Sequence, residues 1–282
     1  MVFKPRISGE QLYHHIYAWG NDHHPIFKAD VHYQKYLHLL ATYSSFYGVD
    51  VIAYALMKWH IHLFIYDTKN HLSRFMKDLH GEYAKFYNRH AKRVGHVFGE
   101  RFNNKIVQVN DYGLWLSRYI HRQAVEAGIV QDPKDYQWSS YCIYLGLEKS
   151  KFVKRDIILQ QFGNDDIADQ RYEAFVKNTE DDPTNWGDRS FAVVGDDTFK
   201  ENHAKTTQKN EQSEENVEAI TEAIFQSLQI SKEVLLNPQG LNERRLRHQA
   251  CRILVMEYGF TKAKVSRLLG VSKMAIVKAL RK

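Results

Sequence analysis

The sequence predicts an α+β fold: a ferredoxin-like domain with an antiparallel sheet and helices on one face, followed by a small all-α helix-turn-helix domain. Two observations predict it. Strand and helix periodicities follow in the order strand–helix–strand–strand–helix–strand over residues 10–109, with a third helix after them. Near the end of the chain, a basic segment carries two short amphipathic helices joined by a glycine turn.

Each element of the first domain has its own signal. The strands are recognised by β-branched and aromatic residues, and we predict them at residues 10–21, 49–57, 60–67 and 105–109. The helices are recognised by apolar residues at helical spacing, and we predict them at residues 30–47, 71–93 and 111–128. Gly48 follows the first helix, Asp111 is the predicted N-cap of the third, and Gly128 is its predicted stop.

The composition bounds the class of protein. With 44% hydrophobic residues in 282, the chain can bury a sizeable core, and its formal net charge of +6 is compatible with a polyanionic partner. Cys142 and Cys251 lie far apart and match no zinc or redox spacing, so we interpret them as thiols in a reducing compartment. No apolar run approaches the length of a membrane span. We therefore expect a soluble cytoplasmic protein without membrane partners.

The charged residues are unevenly distributed along the second half of the chain. Residues 178–218 hold eleven acidic and four basic residues, and residues 203–216 have almost no large apolar side chain, as in a solvated linker. Residues 244–282 hold eleven Lys or Arg and one acid. We therefore expect a first domain at 1–150, an acidic helical extension and linker at 151–215, and a basic DNA-binding domain at 216–282.

The basic domain has helix-turn-helix chemistry. A helix over residues 262–269, the turn residue Gly270 and a second helix opening at Ser272 are typical of that motif, whose second helix enters the major groove of duplex DNA. The alternative is a helical hairpin with a solvated basic face. In the DNA-binding interpretation Ser272, Lys273, Met274 and Lys278 face base edges and Arg267 lies near phosphates.

Two histidines in the third strand raise the question of chemistry. Strand side chains alternate between faces, so His60 and His62 point the same way and can present two nitrogens to one divalent metal. The alternative is two histidines on a half-exposed face. Tyr119 and Gln123 stand at i and i+4 of the third helix, where an amide oxygen can complete a hard-cation site and a phenol can act as nucleophile.

The sequence resembles the REP-associated tyrosine transposases (RAYT), a branch of the HUH single-tyrosine transposases, over about residues 6–147. The resemblance is carried by six segments in the family's order: LYHHIYAWGNDHHPIF, YALMKWHIHLFI, LSRFMKDLHGEYAKFYNRH, GHVFGERFNNKIVQV, LSRYIHRQAVEAGIV and DPKDYQWSSYCIYLG. It implies a ferredoxin-like HUH domain that nicks and joins single-stranded DNA through a 5′-phosphotyrosine intermediate.

The resemblance also implies roles for single residues. Tyr119 is the attacking tyrosine, His60 and His62 hold a divalent metal (Mg²⁺ or Mn²⁺), and Gln123 stands where the family places an amide, usually Asn. This chain has Lys-Trp before the first histidine where the family commonly has Pro-Asn, and Ala124 where it commonly has Pro. The other histidine pairs, His14–His15 and His23–His24, are interpreted as strand and turn residues.

The expected DNA partner is single-stranded or hairpin DNA at the first domain and duplex DNA at the second, with monomer and homodimer both open. A positive strip would bind the backbone of the single strand: Arg74, Lys77, Lys85, Arg89, Lys92, Arg93, Arg101 and Lys105. Interleaved aromatics would stack on bases: Tyr83, Phe86, Tyr87, Phe98 and Phe102. The alternative, which we expect for about half of these basic and aromatic residues, is a solvated helix face over an ordinary core. Two alternatives remain: a non-catalytic DNA-binding regulator that retains the fold, and a metal-dependent nuclease in which water attacks.

Overall fold

The computed structural model divides the chain into two compact units, residues 1–206 and 207–282. It describes residues 7–178, 184–186, 188, 192–203, 221–228, 230–256, 260 and 262–280. Most of the predicted linker at 203–216 therefore lies outside the described residues. Within the described part of the chain, no helix combines the length and apolar character needed to cross a membrane.

A five-stranded sheet organises the first unit. Its strands are β1 (Leu12–Trp19), β2 (Val49–Leu56), β3 (His60–Asp67), β4 (Asn103–Val107) and β5 (Val193–Val194). They lie in the order β2-β3-β1-β4-β5, and all neighbours are antiparallel except β4 and β5. The first four strands have the ferredoxin-like order, so the predicted α+β class with a mainly antiparallel sheet is confirmed.

In the described part of the first unit, six α-helices with defined bounds accompany the sheet. They are α1 (Asp30–Tyr47), α2 (Leu72–His90), α3 (Asp111–Glu126), α4 (Tyr141–Tyr144), α5 (Asp156–Leu159) and α6 (Ala168–Lys177). Helix α1 ends at Gly48, whose φ of 64° requires a residue that tolerates the left-handed region. The predicted cap of α3 was wrong by one residue, because the side chain of Asn110, not Asp111, accepts a hydrogen bond from the backbone of Tyr112.

Both faces of β3 are buried, which explains its nearly continuous apolar run. Ile61, Leu63 and Ile65 are fully buried on one face, and Phe64 is fully buried on the face shared with the histidines. Helix α3 packs against β2 and β3. Gly113 permits this close approach, because a Cβ there would meet the Val109 side chain at 3.3 Å and the Phe64 ring at 3.6 Å. The site-bearing helix therefore lies directly on the sheet.

The outer edge of β2 is covered by the segment that follows α3. The backbone N–H of Leu56 donates to the Trp138 carbonyl at 2.9 Å, and the backbone N–H of Tyr54 donates to the Ser140 hydroxyl at 2.9 Å. The Trp138 ring stacks on Tyr33 of α1 with the ring centroids 4.5 Å apart. These contacts protect an edge strand that would otherwise expose unpaired backbone groups.

The second unit contains two short helices joined by a glycine turn, preceded by further helices. Residues 221–227 are helical and are followed by α7 (Lys232–Leu236), α8 (Leu241–Met256), α9 (Lys262–Leu269) and α10 (Lys273–Leu280). Gly270 has a φ of 61°, and the Ser272 hydroxyl accepts a hydrogen bond from the backbone of Ala275 in the first turn of α10. A separate core joins these helices: Ile224, Phe225, Ala250, Cys251, Leu254, Val265, Leu269, Val271, Ile276 and Ala279.

His121 links α3 to its neighbours and makes the fold sensitive to acid. Its ring nitrogens hydrogen-bond to the hydroxyls of Tyr172 at 2.6 Å and Ser140 at 2.7 Å, in a fully buried site. Burial lowers the pKa of His121 to about 3 and that of His14 to about 4. Because the folded pKa lies below the unfolded value, the stabilisation is present above pH 6.5 and is lost as the pH falls toward 3.

We therefore predict that the free energy of unfolding falls by about 1.4 kcal/mol per pH unit below 6.5 for each such histidine. Urea denaturation at pH 7, 5.5 and 4.5 measures this slope. His121→Gln keeps polar atoms in the site but does not titrate, so its slope should be shallower than that of the wild type. The matched control is His38→Gln at an exposed position of α1. An unchanged slope in His121→Gln would contradict the prediction.

Candidate active site

Strand β3 presents its two histidines side by side. The ring centroids of His60 and His62 lie 5.0 Å apart, with the rings nearly perpendicular. His62 is buried and His60 is partly exposed. Antiparallel pairing with β1 places Trp19 opposite His60 and Tyr17 opposite His62, so aromatic rings border the pair on the same face. The predicted shared face of the two histidines is therefore present.

Helix α3 brings the other two predicted site residues to this face. The Tyr119 ring centroid lies 5.4 Å from that of His62, and the Gln123 side-chain oxygen lies 3.5 Å from Nε2 of His60. The Gln123 side-chain nitrogen donates to the backbone carbonyl of Tyr119 at 3.3 Å, which orients its amide oxygen away from that carbonyl. His60 and Tyr119 thus share one site, although they are 59 positions apart in the sequence.

Burial sets the protonation states of these groups. It lowers the pKa of His60, and it holds the pKa of His62 well below the ordinary value, with further lowering from His15 and His60. Hydrogen bonding to Gln123 acts in the opposite direction and raises the pKa of both histidines, but by less than burial lowers it. Burial also raises the pKa of Tyr119. At neutral pH both imidazoles are therefore neutral with lone pairs available, and the phenol keeps its proton.

The chemistry of this donor set fits a divalent cation. Two neutral imidazoles and one amide oxygen are ligands that first-row divalent metals accept, and three protein donors leave positions for a phosphate oxygen. Among the described residues, no group of three His, Cys, Asp or Glu side chains is arranged to hold a metal ion. A metal at this face would therefore depend on Gln123 for its third protein ligand.

Two residues at this site were not predicted from the sequence. Nε2 of His15 lies 3.0 Å from Nδ1 of His62, and the Trp186 ring lies 5.7 Å from the His15 ring and 6.0 Å from the Tyr119 ring. Strand alternation in β1 gives the facing direction of His15, but its contact with His62 requires the β1–β3 pairing. No sequence signal indicated Trp186, which precedes β5 by seven residues.

Most of the predicted positive strip lies at the surface. Six of its side chains are exposed: Arg74, Lys77, Lys85, Arg89, Lys92 and Arg101. The side chain of Arg93 is partly exposed. Lys105 was predicted wrongly as part of this strip. It lies in β4 between β1 and β5, is 1% exposed, and donates to the backbone carbonyls of Trp186 and Asp188. Burial lowers its pKa to about 8.

The predicted base-stacking aromatics are mostly core residues. Tyr83 and Tyr87 are fully buried, and their hydroxyls donate to the backbone carbonyls of Ile26 and Pro25. They were wrongly predicted as stacking surfaces, because helical periodicity alone does not separate a basic face from the apolar face beneath it. Phe102 is also buried, whereas Phe86 and Phe98 are partly exposed. Trp19, 37% exposed beside His60, is a more accessible ring.

In the second unit, the predicted DNA-contacting residues fall into two groups. Arg267, Ser272 and Met274 are exposed, and the Ser272 hydroxyl is used in capping α10. The side chains of Lys273 and Lys278 lie outside the described part of the structure, although the backbone of both is helical. The exposed positions flank the turn at Gly270.

Comparison with known families gives one match, in the first half of the chain. Residues 8–123 match the family described as "Transposase IS200 like", and this range contains His60, His62, Tyr119 and Gln123. The match covers less than half of the chain, so it shows that residues 8–123 are similar to a transposase domain. It agrees with the tyrosine-transposase resemblance drawn from the six segments.

Solved structures with similar chains include two transposases. A REP-associated tyrosine transposase bound to a REP hairpin is 13% identical, with a TM-score of 0.45, and the match covers 55% of this chain and 98% of that one. A proposed transposase from Deinococcus radiodurans R1 is 19% identical, with a TM-score of 0.31, and the match covers 43% and 98%. No curated protein sequence matches the chain.

The lowered histidine pKa values give a prediction for metal binding. Protons compete with metal only below the pKa of the ligands. Two imidazoles with the ordinary pKa of about 6.5 would lose about tenfold in apparent affinity between pH 7 and pH 6. For this chain we predict a much smaller loss, because burial keeps both rings neutral. Calorimetric titration with Mn²⁺ at the two pH values measures it, and a tenfold loss would contradict the prediction.

Proposed function

We propose that this chain is a metal-dependent enzyme that nicks and joins single-stranded DNA, in the REP-associated branch of the tyrosine transposases. One observation carries the proposal. The Tyr119 ring lies 5.4 Å from that of His62, and the Gln123 oxygen lies 3.5 Å from His60 Nε2. A nucleophile and three metal donors thus occupy one face, inside the segment that matches the transposase family.

In this mechanism His60, His62 and Gln123 would hold a divalent cation (Mg²⁺ or Mn²⁺), which would polarise the scissile phosphate and offset its developing charge. The phenol of Tyr119 gives its proton to solvent as its oxygen forms a bond to phosphorus, and the bond from phosphorus to the 3′ oxygen breaks. The products are a 5′-phosphotyrosine and a strand with a free 3′-OH, once that oxygen takes up a proton from water. Attack by another 3′-OH reverses the chemistry and joins strands without a nucleotide cofactor.

Because the pKa of Tyr119 is raised, the site must help the phenol to lose its proton. A protonated phenol is a weak nucleophile, so it must lose its proton as it attacks. The reaction should therefore begin when DNA and positive charge enter the site together.

Two kinds of substrate contact are proposed, one to the exposed basic side chains of α2 and one to a ring beside the histidines. Arg74, Lys77 and Lys85 on α2 supply positive charge for a single-strand backbone, although Lys85 also pairs with Glu82 at 2.5 Å. Trp19 gives an exposed indole 6.4 Å, centroid to centroid, from His60, on which a base near the scissile phosphate can stack. The basic side chains would hold the strand and the indole would position one base.

The second unit is proposed to bind duplex DNA. Two helices of eight residues meet at a left-handed glycine, and the exposed Arg267, Ser272 and Met274 flank that turn. The charge of residues 244–282 agrees with this role. Arg267 would contact phosphates, whereas Met274 would contact base edges in the major groove. The alternative is a helical hairpin without DNA contacts.

Tyr119→Phe should abolish covalent attachment to DNA. The wild-type chain, incubated with hairpin single-stranded DNA and Mn²⁺, should give a protein–DNA adduct that survives SDS. The variant lacks the attacking oxygen and should give none. The matched control is Tyr17→Phe, which removes a neighbouring phenol on the same face and should leave the adduct in place.

Three outcomes of that experiment separate the candidate functions. Cleavage that persists in Tyr119→Phe would identify a hydrolytic nuclease. Duplex binding with neither cleavage nor adduct in the wild type would identify a non-catalytic regulator. An adduct that disappears only in Tyr119→Phe supports the transposase mechanism.

Arg267→Ala should weaken duplex binding by the full chain and reduce the slope of log affinity against log salt by about 1, because one phosphate contact is lost. Met274→Ala should leave the salt slope unchanged but relax sequence preference, because it removes an apolar contact to base edges. Fluorescence anisotropy at several salt concentrations measures both effects. Equal salt slopes for wild type and Arg267→Ala would contradict the assigned phosphate contact.

A further inference from the structure

A third histidine supports the proposed metal ligands from behind. His15 of β1 is fully buried, and its Nε2 lies 3.0 Å from Nδ1 of His62. The two rings are nearly parallel, with an angle of 19° between their planes and 5.3 Å between their centroids. This contact occupies Nδ1 of His62, so Nε2 is the nitrogen of that ring that remains for a metal.

The packing around His15 fixes the position of its ring. In the sheet, His15 of β1 pairs with Phe64 of β3 on one side and with Lys105 of β4 on the other, so its backbone is held by a strand on each side. The rings of Tyr119 and Trp186 contact it edge-on, at 5.8 Å and 5.7 Å between centroids. A fully buried ring with neighbours on these sides can hold the plane of the His62 ring in one orientation.

In the metal-bound state, the direction of this hydrogen bond follows from which ring nitrogen of His62 carries the proton. If His15 donates, His62 must carry its proton on Nε2, and that nitrogen then has no lone pair for a cation. If His62 donates from Nδ1, its Nε2 lone pair is available. Within the part of the chain that the structure describes, Nδ1 of His15 has no hydrogen-bond partner that would dictate its tautomer, so this ring can adopt the accepting form.

We propose that His15 is a positioning residue, which accepts the Nδ1 proton of His62 and thereby selects the tautomer and ring orientation that bind the metal. Metal-bound histidines usually donate their second nitrogen to a carboxylate, a backbone carbonyl or water. Here a neutral, buried imidazole takes that place. The inference rests on the proposed function in one respect: it requires His62 to be a metal ligand.

Metal affinity in variants of the full chain tests this role. His15→Leu keeps a similar apolar volume but removes the acceptor, and it should weaken Mn²⁺ binding by about 10–100-fold in calorimetry. His15→Gln places an amide oxygen near the former Nε2 and should restore affinity toward the wild-type value. The matched control is His14→Leu, which removes an equally buried histidine on the opposite face of β1 and should leave Mn²⁺ affinity unchanged.

These variants separate positioning from stability. Thermal unfolding without metal reports how much each substitution destabilises the fold. Wild-type Mn²⁺ affinity in His15→Leu, or equal losses in His15→Leu and His14→Leu, would overturn the inference. Failure of the amide in His15→Gln to restore any affinity would also overturn it.

A spectroscopic measurement on the wild type keeps the inference testable even if a variant does not fold. With ¹⁵N-labelled histidine and Zn²⁺ as a diamagnetic probe, the ring shifts should show His62 protonated at Nδ1 and His15 protonated at Nδ1. A proton on Nε2 of His62 in the Zn²⁺-loaded chain would overturn the inference. If the chain bound neither Mn²⁺ nor Zn²⁺, the proposed metal-dependent function would fail first, which distinguishes the two failures.

Discussion

The antiparallel pairing of β1 with β3 is the constraint on which the site depends. It places Tyr17 opposite His62 and Trp19 opposite His60, and it brings His15, which lies two residues before Tyr17 on the same face, to hydrogen-bond distance of His62. A slip of one residue would turn every side chain of one strand to the other face. The buried Ile61, Leu63 and Ile65 would then lose their core, so the hydrophobic pattern that stabilises the sheet also fixes the register of the histidines.

The second requirement is the close docking of α3. Gly113 allows the helix to approach Phe64, and His121 anchors it through Tyr172 and Ser140. With the helix held in this position, Tyr119 and Gln123, one turn apart, both face the histidines. The same burial that holds the helix also keeps the imidazoles neutral and the phenol protonated. Packing and site chemistry thus have one physical cause, which is desolvation of the face between α3 and the sheet.

The region after α3 contributes more to the site than its composition suggested. Trp186 packs against Tyr119 and His15, and its backbone carbonyl is held by the ammonium of Lys105. A buried ammonium is costly unless its protons are donated, and here backbone carbonyls accept them. Lys105 therefore contributes to the structure around the site, and the proposed DNA-binding charge is left to the exposed basic side chains of α2 and the following loop.

The sequence by itself determined the class of fold, the positions of the first four strands along the chain, the shared face of His60 and His62, and the i,i+4 relation of Tyr119 and Gln123. All of these follow from local periodicity, which depends only on residues near each other in the chain. The family resemblance joined the two pairs into one site. Only the tertiary structure decided that His15 contacts His62, that Lys105 and Tyr83 are buried, and that Trp186 covers the tyrosine. Those facts depend on contacts between residues far apart in sequence, and charge or aromatic character alone does not give the direction in which a side chain is buried.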